Sequence, residues 1–273
     1  MKQDFSHLRA LVRARSGIAL GPDKDYLCDS RLAPIARANG FADVDALVTR
    51  LRAGAAADDG LRTLAVESLA THETSFFRDV NPFEALRRSV IRALVASRPS
   101  TSPVCIWSAA CATGQEPYSL AMMVHEHLPD LLHRVKIIAT DFSGGALARA
   151  RTGRFHQIEV NRGLPAALLI KYFRREGTEW VISPTIRSAV EFRQVNLVEA
   201  LPAMPLMDVV FLRNVLIYFD PETRLAALKR VAKNLARGGL LVLGAAETLI
   251  GLDDALGLYR VVLDGGTFYR NTR

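Results

Sequence analysis

The chain has 273 residues, 49% of them hydrophobic and 23% charged, with a formal net charge of +7. That length suits about two domains of roughly 150 residues each, and the composition is that of a folded globular protein able to bury a core without cross-links. Three cysteines (Cys28, Cys105, Cys111) exclude a disulfide framework, their spacing matches no zinc motif, and no apolar run approaches the roughly 18 residues of a membrane span.

The first 17 residues carry Asp4 and lack an apolar core. They do not read as a secretory leader, and a reducing, cytoplasmic setting is expected. Up to residue 98 apolar residues recur at helical spacing: Phe5, Leu8, Leu11 and Val12; Leu27, Leu32, Ile35 and Ala36; Val44, Leu47, Val48 and Leu51; Leu61, Leu64, Ala65 and Leu69. Gly17, Gly21-Pro22, Asn39-Gly40 and Asp58-Asp59-Gly60 punctuate these helices. Residues 1–80 are therefore expected to form a small all-helical domain. A longer helix is expected to open with Asn81 as N-cap, Pro82 at the first helical position and Glu84 three residues past the cap. It makes residues 81–102 a linker helix, ended by Arg98-Pro99-Ser100-Thr101-Ser102-Pro103.

In residues 103–273 short apolar strands alternate with helices. Strands are expected at 104–107, at 135–139 (ending at Asp141), at 208–212 and at 240–243. Helices are expected from Pro117, over 146–151, and from Asp220-Pro221-Glu222 to a stop at Gly238-Gly239. This alternation means βαβ units and a mostly parallel sheet. At the end, 259–263 and 267–269 flank Asp264-Gly265-Gly266, an antiparallel hairpin signal. At about 154–193 the pattern is interrupted. There 165–173 looks helical, and 180–182 and 190–192 look like strands around Ser183-Pro184-Thr185, so a small inserted β subdomain is expected.

Residues 1–90 hold 13 Lys/Arg against 12 Asp/Glu, whereas residues 144–193 hold nine against four. A concentrated field of that sign attracts nucleic acid, an anionic membrane or an acidic protein surface, or simply aids solubility.

Ligands of an open α/β sheet bind beyond the carboxyl ends of its strands, where the strand order reverses. The loop after the first strand, Ser108-Ala109-Ala110-Cys111-Ala112-Thr113-Gly114-Gln115-Glu116-Pro117, is small enough for close approach to a ligand, and equally suits tight strand–helix packing. Gly114 precedes a helix N-terminus with free N–H groups. The loop is neither GxGxxG nor a P-loop. Asp141 can accept from both hydroxyls of a ribose, or cap the following helix. Asn196, within Val195-Asn196-Leu197, both donates and accepts, as reading an adenine edge requires. Asn214, after Leu212-Arg213, ends another strand and is expected to face the same crevice. Phe76-Phe77 reads as an apolar anchor, and Arg78 as a carboxylate clamp or a surface charge. No histidine shows triad or metal-ligand spacing.

Taken in order, Thr71-His72-Glu73-Thr74-Ser75-Phe76-Phe77-Arg78, Trp107 through Ser119, Ala139-Thr140-Asp141, Val195-Asn196-Leu197, Arg213-Asn214-Val215-Leu216-Ile217-Tyr218-Phe219-Asp220 and Leu243-Gly244-Ala245-Ala246-Glu247 resemble the chemotaxis receptor methyltransferases, the CheR family. The match spans nearly the whole chain. It implies an α/β, Rossmann-like methyltransferase domain, a mostly parallel sheet ending in an antiparallel hairpin, with a small all-helical N-terminal domain and an inserted β subdomain. It also implies S-adenosyl-L-methionine as cofactor, S-adenosyl-L-homocysteine as product, and methyl esterification of glutamates on chemoreceptor cytoplasmic domains. Family contacts carry over to Thr74 and Arg78 at the cofactor's amino-acid end, Glu116 near its ammonium, and Asp141 at the ribose. Asn196, Leu197, Asn214 and Val215 match the adenosine-side and inner-pocket contacts. His72 stands where the family commonly has Asn, and is counted with these at the margin. Gln115 and Ala110 replace a frequent Glu and a frequent Gly.

A glutamate acceptor, with an ordinary pKa near 4.3, is already ionised at neutral pH, so transfer needs no general base. Arg78 and Tyr218 are assigned to orienting the acceptor, by contacts weak enough to leave it nucleophilic. One alternative is an RNA methyltransferase. Against it, amino-directed enzymes carry [DNS]PP[YF] where this chain has Arg213-Asn214-Val215-Leu216, and no cysteine follows a proline as carbon-directed chemistry requires. Another is a non-catalytic receptor-binding module, opposed by the intact Glu116, Asp141 and Asn214. Neither nucleic acid nor membrane insertion is expected, and the family leads to an expected monomer. Only 17 residues separate Tyr172-Phe173 from Glu191-Phe192, short beside family members that tether to a receptor C-terminal pentapeptide, so independence of that tether is expected.

Overall fold

The computed structural model describes residues 4–54 and 56–273. By their contacts these residues fall into two compact units. One holds the described residues up to Thr71 with Leu197–Glu199 and Tyr218–Ala226; the other holds His72–Asn196, Ala200–Ile217 and Ala227–Arg273.

The first unit is helical, with helices Ser6–Ser16, Asp25–Ala38, Val44–Ala53 and Asp59–Leu69 where the periodicity places them. Leu8, Val12, Leu32, Ala36, Leu47, Val48, Leu51, Ala65 and Leu69 are buried along their inner faces. Leu64, expected inside, is 49% exposed, while Val66, two residues on, is buried beside Ala65. Asp43 caps the third helix by accepting the Ala46 N–H at 2.8 Å. Asp220, just before the helix Pro221–Asn234, accepts the Thr223 N–H at 3.0 Å, the Thr223 hydroxyl at 2.9 Å and the Arg13 guanidinium at 2.9 Å. Those donors, the Thr223 N–H foremost, bring its carboxyl down to about 2.

The second unit carries ten strands: β1 (Val104–Ala109), β2 (Val135–Asp141), β3 (Arg154–His156), β4 (Phe173–Glu176), β5 (Glu179–Ile182), β6 (Val190–Gln194), β7 (Met207–Leu212), β8 (Leu235–Leu243), β9 (Leu258–Leu263) and β10 (Gly266–Asn271). Seven form one sheet in the order β6-β2-β1-β7-β8-β10-β9, and β3-β5-β4 form a second. In the large sheet β1, β2, β6, β7 and β8 pair in parallel, while β10 runs antiparallel to β8 and β9. Central strands β1 and β7 are buried throughout and mostly apolar, as strands of a parallel sheet covered on both faces are. The β9–β10 turn is Asp264-Gly265, both at positive φ (+44° and +81°), the geometry a two-residue hairpin requires.

Three elements differ from expectation. Val190-Glu191-Phe192, read with the insert, is the edge strand β6 of the large sheet, paired in parallel with β2. Its alternating, half-buried pattern suits an edge strand. Gly238-Gly239 does not stop the preceding helix, which ends at Asn234. The pair lies instead inside β8, at a bulge between Leu235 (opposite Met207) and Leu240 (opposite Val209). A Cβ on Gly239 would stand 2.8 Å from the Ala236 carbonyl oxygen, so this bulge demands glycine. Asn81 is the first helical residue rather than the cap, and Val80 precedes it with no side-chain cap. The helix then runs through a π-wound stretch, Leu86–Val90, into Ile91–Ala96.

The carboxyl end of the sheet is pinned by Glu247, which is 8% exposed. Its carboxylate accepts the N–H groups of Asn214 (2.8 Å), Val215 (3.1 Å), Leu216 (2.8 Å) and Gly244 (2.8 Å), tying the loops after β7 and β8 together. At the opposite end Asp208 takes a two-pronged ion pair from Arg98 (2.7 and 2.6 Å) and the Cys105 N–H (2.8 Å).

Replacing Glu247 by Gln leaves one acceptor oxygen for four donors. It is expected to cost about 2–3 kcal/mol in urea unfolding and to speed amide exchange at residues 214–216 and 244. The Asp220 carboxyl, depressed to about 2, stabilises the fold above the unfolded-state value near about 3.9, and that contribution is lost as pH falls through the folded value. Asp220→Asn should therefore melt below wild type at pH 7, and the gap should close between about pH 4 and pH 2.

Candidate active site

The strand order reverses at β1, with β2 on one side and β7 on the other, so the crevice opens beyond the carboxyl ends of these strands. Glu116, Asp141, Asn214 and Val215 stand at or just after those ends, and Asn196 follows the end of β6, the strand beside β2. Asp141 closes β2 and is 4% exposed. Its carboxylate accepts the Ala112 N–H at 2.9 Å and the Ser143 N–H at 2.9 Å, so it ties the β1 loop to the helix Gly144–Thr152. The capping reading is thus realised in part, and Ser143 completes the cap by accepting the Ala146 N–H at 3.0 Å.

Glu116 lies in the first turn of the helix Gln115–His127. It accepts the Ser108 hydroxyl at 2.7 Å and the Arg213 guanidinium at 3.0 Å. Arg213, with its side chain 2% exposed, reaches further, to the Arg78 carbonyl at 2.6 Å and the Asp79 carboxylate at 2.7 Å. The guanidinium sits 5.9 Å from the Phe83 ring centroid and 6.0 Å from that of Phe211. One buried cation therefore links the β7 end, the β1 helix and the segment 78–79. Neither Arg213 nor Glu247 stood out in the sequence. Both were visible only as members of longer motifs, because their partners are remote in the chain.

Among the described residues, the Thr74 hydroxyl and the Arg78 guanidinium make no hydrogen bond or ion pair, and His72 has a buried Nε2 without a partner. The His72 ring stacks on Phe142, next to Asp141, at 6.3 Å between centroids. Phe76 is fully buried against Phe155 and Phe173, and the Phe77 N–H donates to Ser119 Oγ at 2.9 Å, so the segment is anchored as expected. Gly163 permits that anchoring: a Cβ there would stand 2.1 Å from the Phe76 carbonyl oxygen. Leu197 and Tyr218 fall in the helical unit. Leu197 is buried, and the Tyr218 carbonyl accepts the Ala19 N–H at 2.8 Å.

Strained backbone gathers at these same places. Phe77, Asp79, Ala110, Ala112 and Asn214 all have φ between +47° and +59°, a region non-glycine residues seldom occupy. Gly114 follows at +96°, and a Cβ there would crowd Ala150 at 3.1 Å and the Tyr118 ring at 3.2 Å. Burial, with the Asp141 and Glu116 carboxylates nearby, pushes the Cys111 thiol well above its ordinary value. It is therefore a protonated wall residue and no nucleophile. No cluster of metal-ligating side chains occurs among the described residues.

Residues 72–261 match the CheR methyltransferase S-adenosylmethionine-binding domain, and residues 3–67 match the CheR all-alpha domain. The chain is 40% identical over 256 residues to a chemotaxis protein methyltransferase of Pseudomonas putida and to chemotaxis protein methyltransferase 1 of Pseudomonas aeruginosa, covering 92% of this chain and 92% of each relative. It is 36% identical over 262 residues to the chemotaxis protein methyltransferase of Vibrio parahaemolyticus, covering 94% of both. A crevice at the switch point of a mostly parallel sheet and matches across both the helical and the sheet portions lead to one conclusion: the chain belongs to the CheR family and is a chemotaxis protein methyltransferase that uses S-adenosylmethionine.

Proposed function

We propose that this enzyme esterifies glutamate side chains on the cytoplasmic helices of chemoreceptors, giving glutamyl methyl esters. The observation that carries this reading is the state of the crevice's acids. Asp141 is held by two N–H groups, Glu116 by a hydroxyl and a guanidinium, Asp79 by the same guanidinium, and Glu247 by four N–H groups. Each is thus engaged by fixed donors of the chain, and none stands as an unengaged base toward a bound acceptor. An amine acceptor must lose a proton during methylation; a carboxylate need not. The crevice suits the second.

The residues also fit the cofactor. A buried carboxylate at the β2 end offers acceptor capacity to ribose hydroxyls, Glu116 offers it to an ammonium, and Asn214 and Asn196 present amides on the adenosine side. Thr74, Arg78 and the unpartnered His72 Nε2 retain donor or acceptor capacity for the amino-acid end. When bound, S-adenosylmethionine supplies a methyl group on a cationic sulfur that leaves as a neutral thioether. The chain's residues position and exclude water. Arg78 turns an incoming carboxylate toward the crevice, while the buried β1 loop and Phe77 keep the reacting region dry. No residue of the chain transfers a proton.

The alternative of RNA methylation rested on the basic block. Six of its nine cations (Arg149, Arg154, Arg162, Lys171, Arg174 and Arg193) are engaged in ion pairs with glutamates. Local neutralisation of this kind weakens a phosphate-binding field. The small sheet is also compact, with β4 and β5 joined through Gly177-Thr178, which supports action without a pentapeptide tether.

Incubation with methyl-labelled S-adenosylmethionine, receptor cytoplasmic fragments and total RNA should place base-labile label on the receptor. Label confined to RNA refutes the reading. In calorimetry, a receptor C-terminal pentapeptide should show no binding to the protein, and measurable heat of binding would mean that the small sheet is a tether site.

A further inference from the structure

A second concavity, of about 380 Å³, is lined by Asp79, Gly244 and Glu247 together with residues of the β9–β10 hairpin. The hairpin contributes Arg260, Thr267 and Tyr269 to that lining. Arg260 lies directly across from Tyr269 in the antiparallel register, and Thr267 shares their face two residues along the strand. Gly244, in that lining, packs against Asn214 of the crevice: a Cβ on it would stand 2.6 Å from Asn214 Nδ2.

The charges that border the cleft are unequal in what they have left to give. Asp79 is paired with Arg213, and Glu247 accepts four backbone N–H groups. The Tyr269 hydroxyl is taken by the Leu249 N–H at 3.3 Å. Arg260 is exposed and, among the described residues, makes no hydrogen bond or ion pair. A guanidinium in a polar cleft, with its donors unclaimed, is a receptor for a carboxylate.

We propose that this cleft docks a second acidic side chain of the polypeptide acceptor, a neighbour of the methylated glutamate, and that Arg260 receives it. The inference rests on the methyl-ester reading and deepens it. On a helical acceptor, side chains three or four residues apart stand about 5–6 Å from one another, which suits two adjoining concavities. Placing the cation beside the reacting carboxylate and not on it attracts the substrate without quenching its nucleophilicity. Because Arg260 is exposed, the attraction is modest and screened by salt.

The test measures initial rates on a receptor cytoplasmic fragment with wild type, Arg260→Ala, Arg260→Lys and Arg260→Glu, while calorimetry of S-adenosylmethionine binding reports an intact fold. Arg260→Ala should raise KM for the fragment about 3- to 5-fold and Arg260→Glu by more, with kcat and cofactor affinity unchanged. Arg260→Lys should stay near wild type, and the differences should shrink at high ionic strength. A KM equal to wild type in Arg260→Glu overturns the proposal, as does a loss confined to kcat or cofactor affinity. If wild type itself places no base-labile label on the fragment, the methyl-ester reading fails, and this inference falls with it.

Discussion

The site is organised around a cation that water scarcely reaches. Arg213, 2% exposed in its side chain, binds Glu116, Asp79 and the Arg78 carbonyl at 2.6–3.0 Å. A guanidinium removed from water is tolerable only with its partners in place, and removal of one partner of such a pair typically costs about 3–5 kcal/mol. The ion pair therefore does more than add stability. It requires segment 77–79, the first turn of the helix Gln115–His127 and the end of β7 to keep one arrangement, although they are far apart in the chain.

Around that cation the molecule holds its polar groups fixed before any substrate arrives. Asp141 and Glu247 are oriented by backbone N–H groups, and the loops that carry those N–H groups include residues at positive φ. Strain of this kind persists only where the surroundings over-determine the backbone, and here the over-determination is the carboxylate network itself. Methyl transfer depends on holding acceptor and methyl group in line, and polar groups fixed in advance by the chain's own backbone are a device suited to that.

Much of this could be read from the chain alone. The β1, β2 and β7 strands, the hairpin turn at Asp264-Gly265 and the helices of the first unit follow from periodicity and turn chemistry, and Asp141 and Asn214 follow from their places at strand ends. What was hidden is instructive. Arg213 precedes Asn214 in a motif already singled out, yet its partners lie 97 and 134 residues away, and no local pattern announces such a contact. Glu247 lies four residues past the end of β8, after Gly244-Ala245-Ala246, where a lone acid carries no signal until the amides around it are seen. The edge strand β6 was obscured by the basic composition around it. Gly238-Gly239 looked like a helix stop because two glycines commonly are one, whereas the close approach at Gly239 serves a bulge inside β8.

The most direct measure of the Arg213 constraint is a double-mutant cycle in cofactor binding, comparing wild type, Arg213→Met, Glu116→Gln and the double variant by calorimetry. If Arg213 holds Glu116 in place for the cofactor, the two losses overlap, and the coupling exceeds about 1 kcal/mol. Losses that add, with coupling within about 0.3 kcal/mol of zero, would mean that the two residues act independently and that the buried cation does not organise the site.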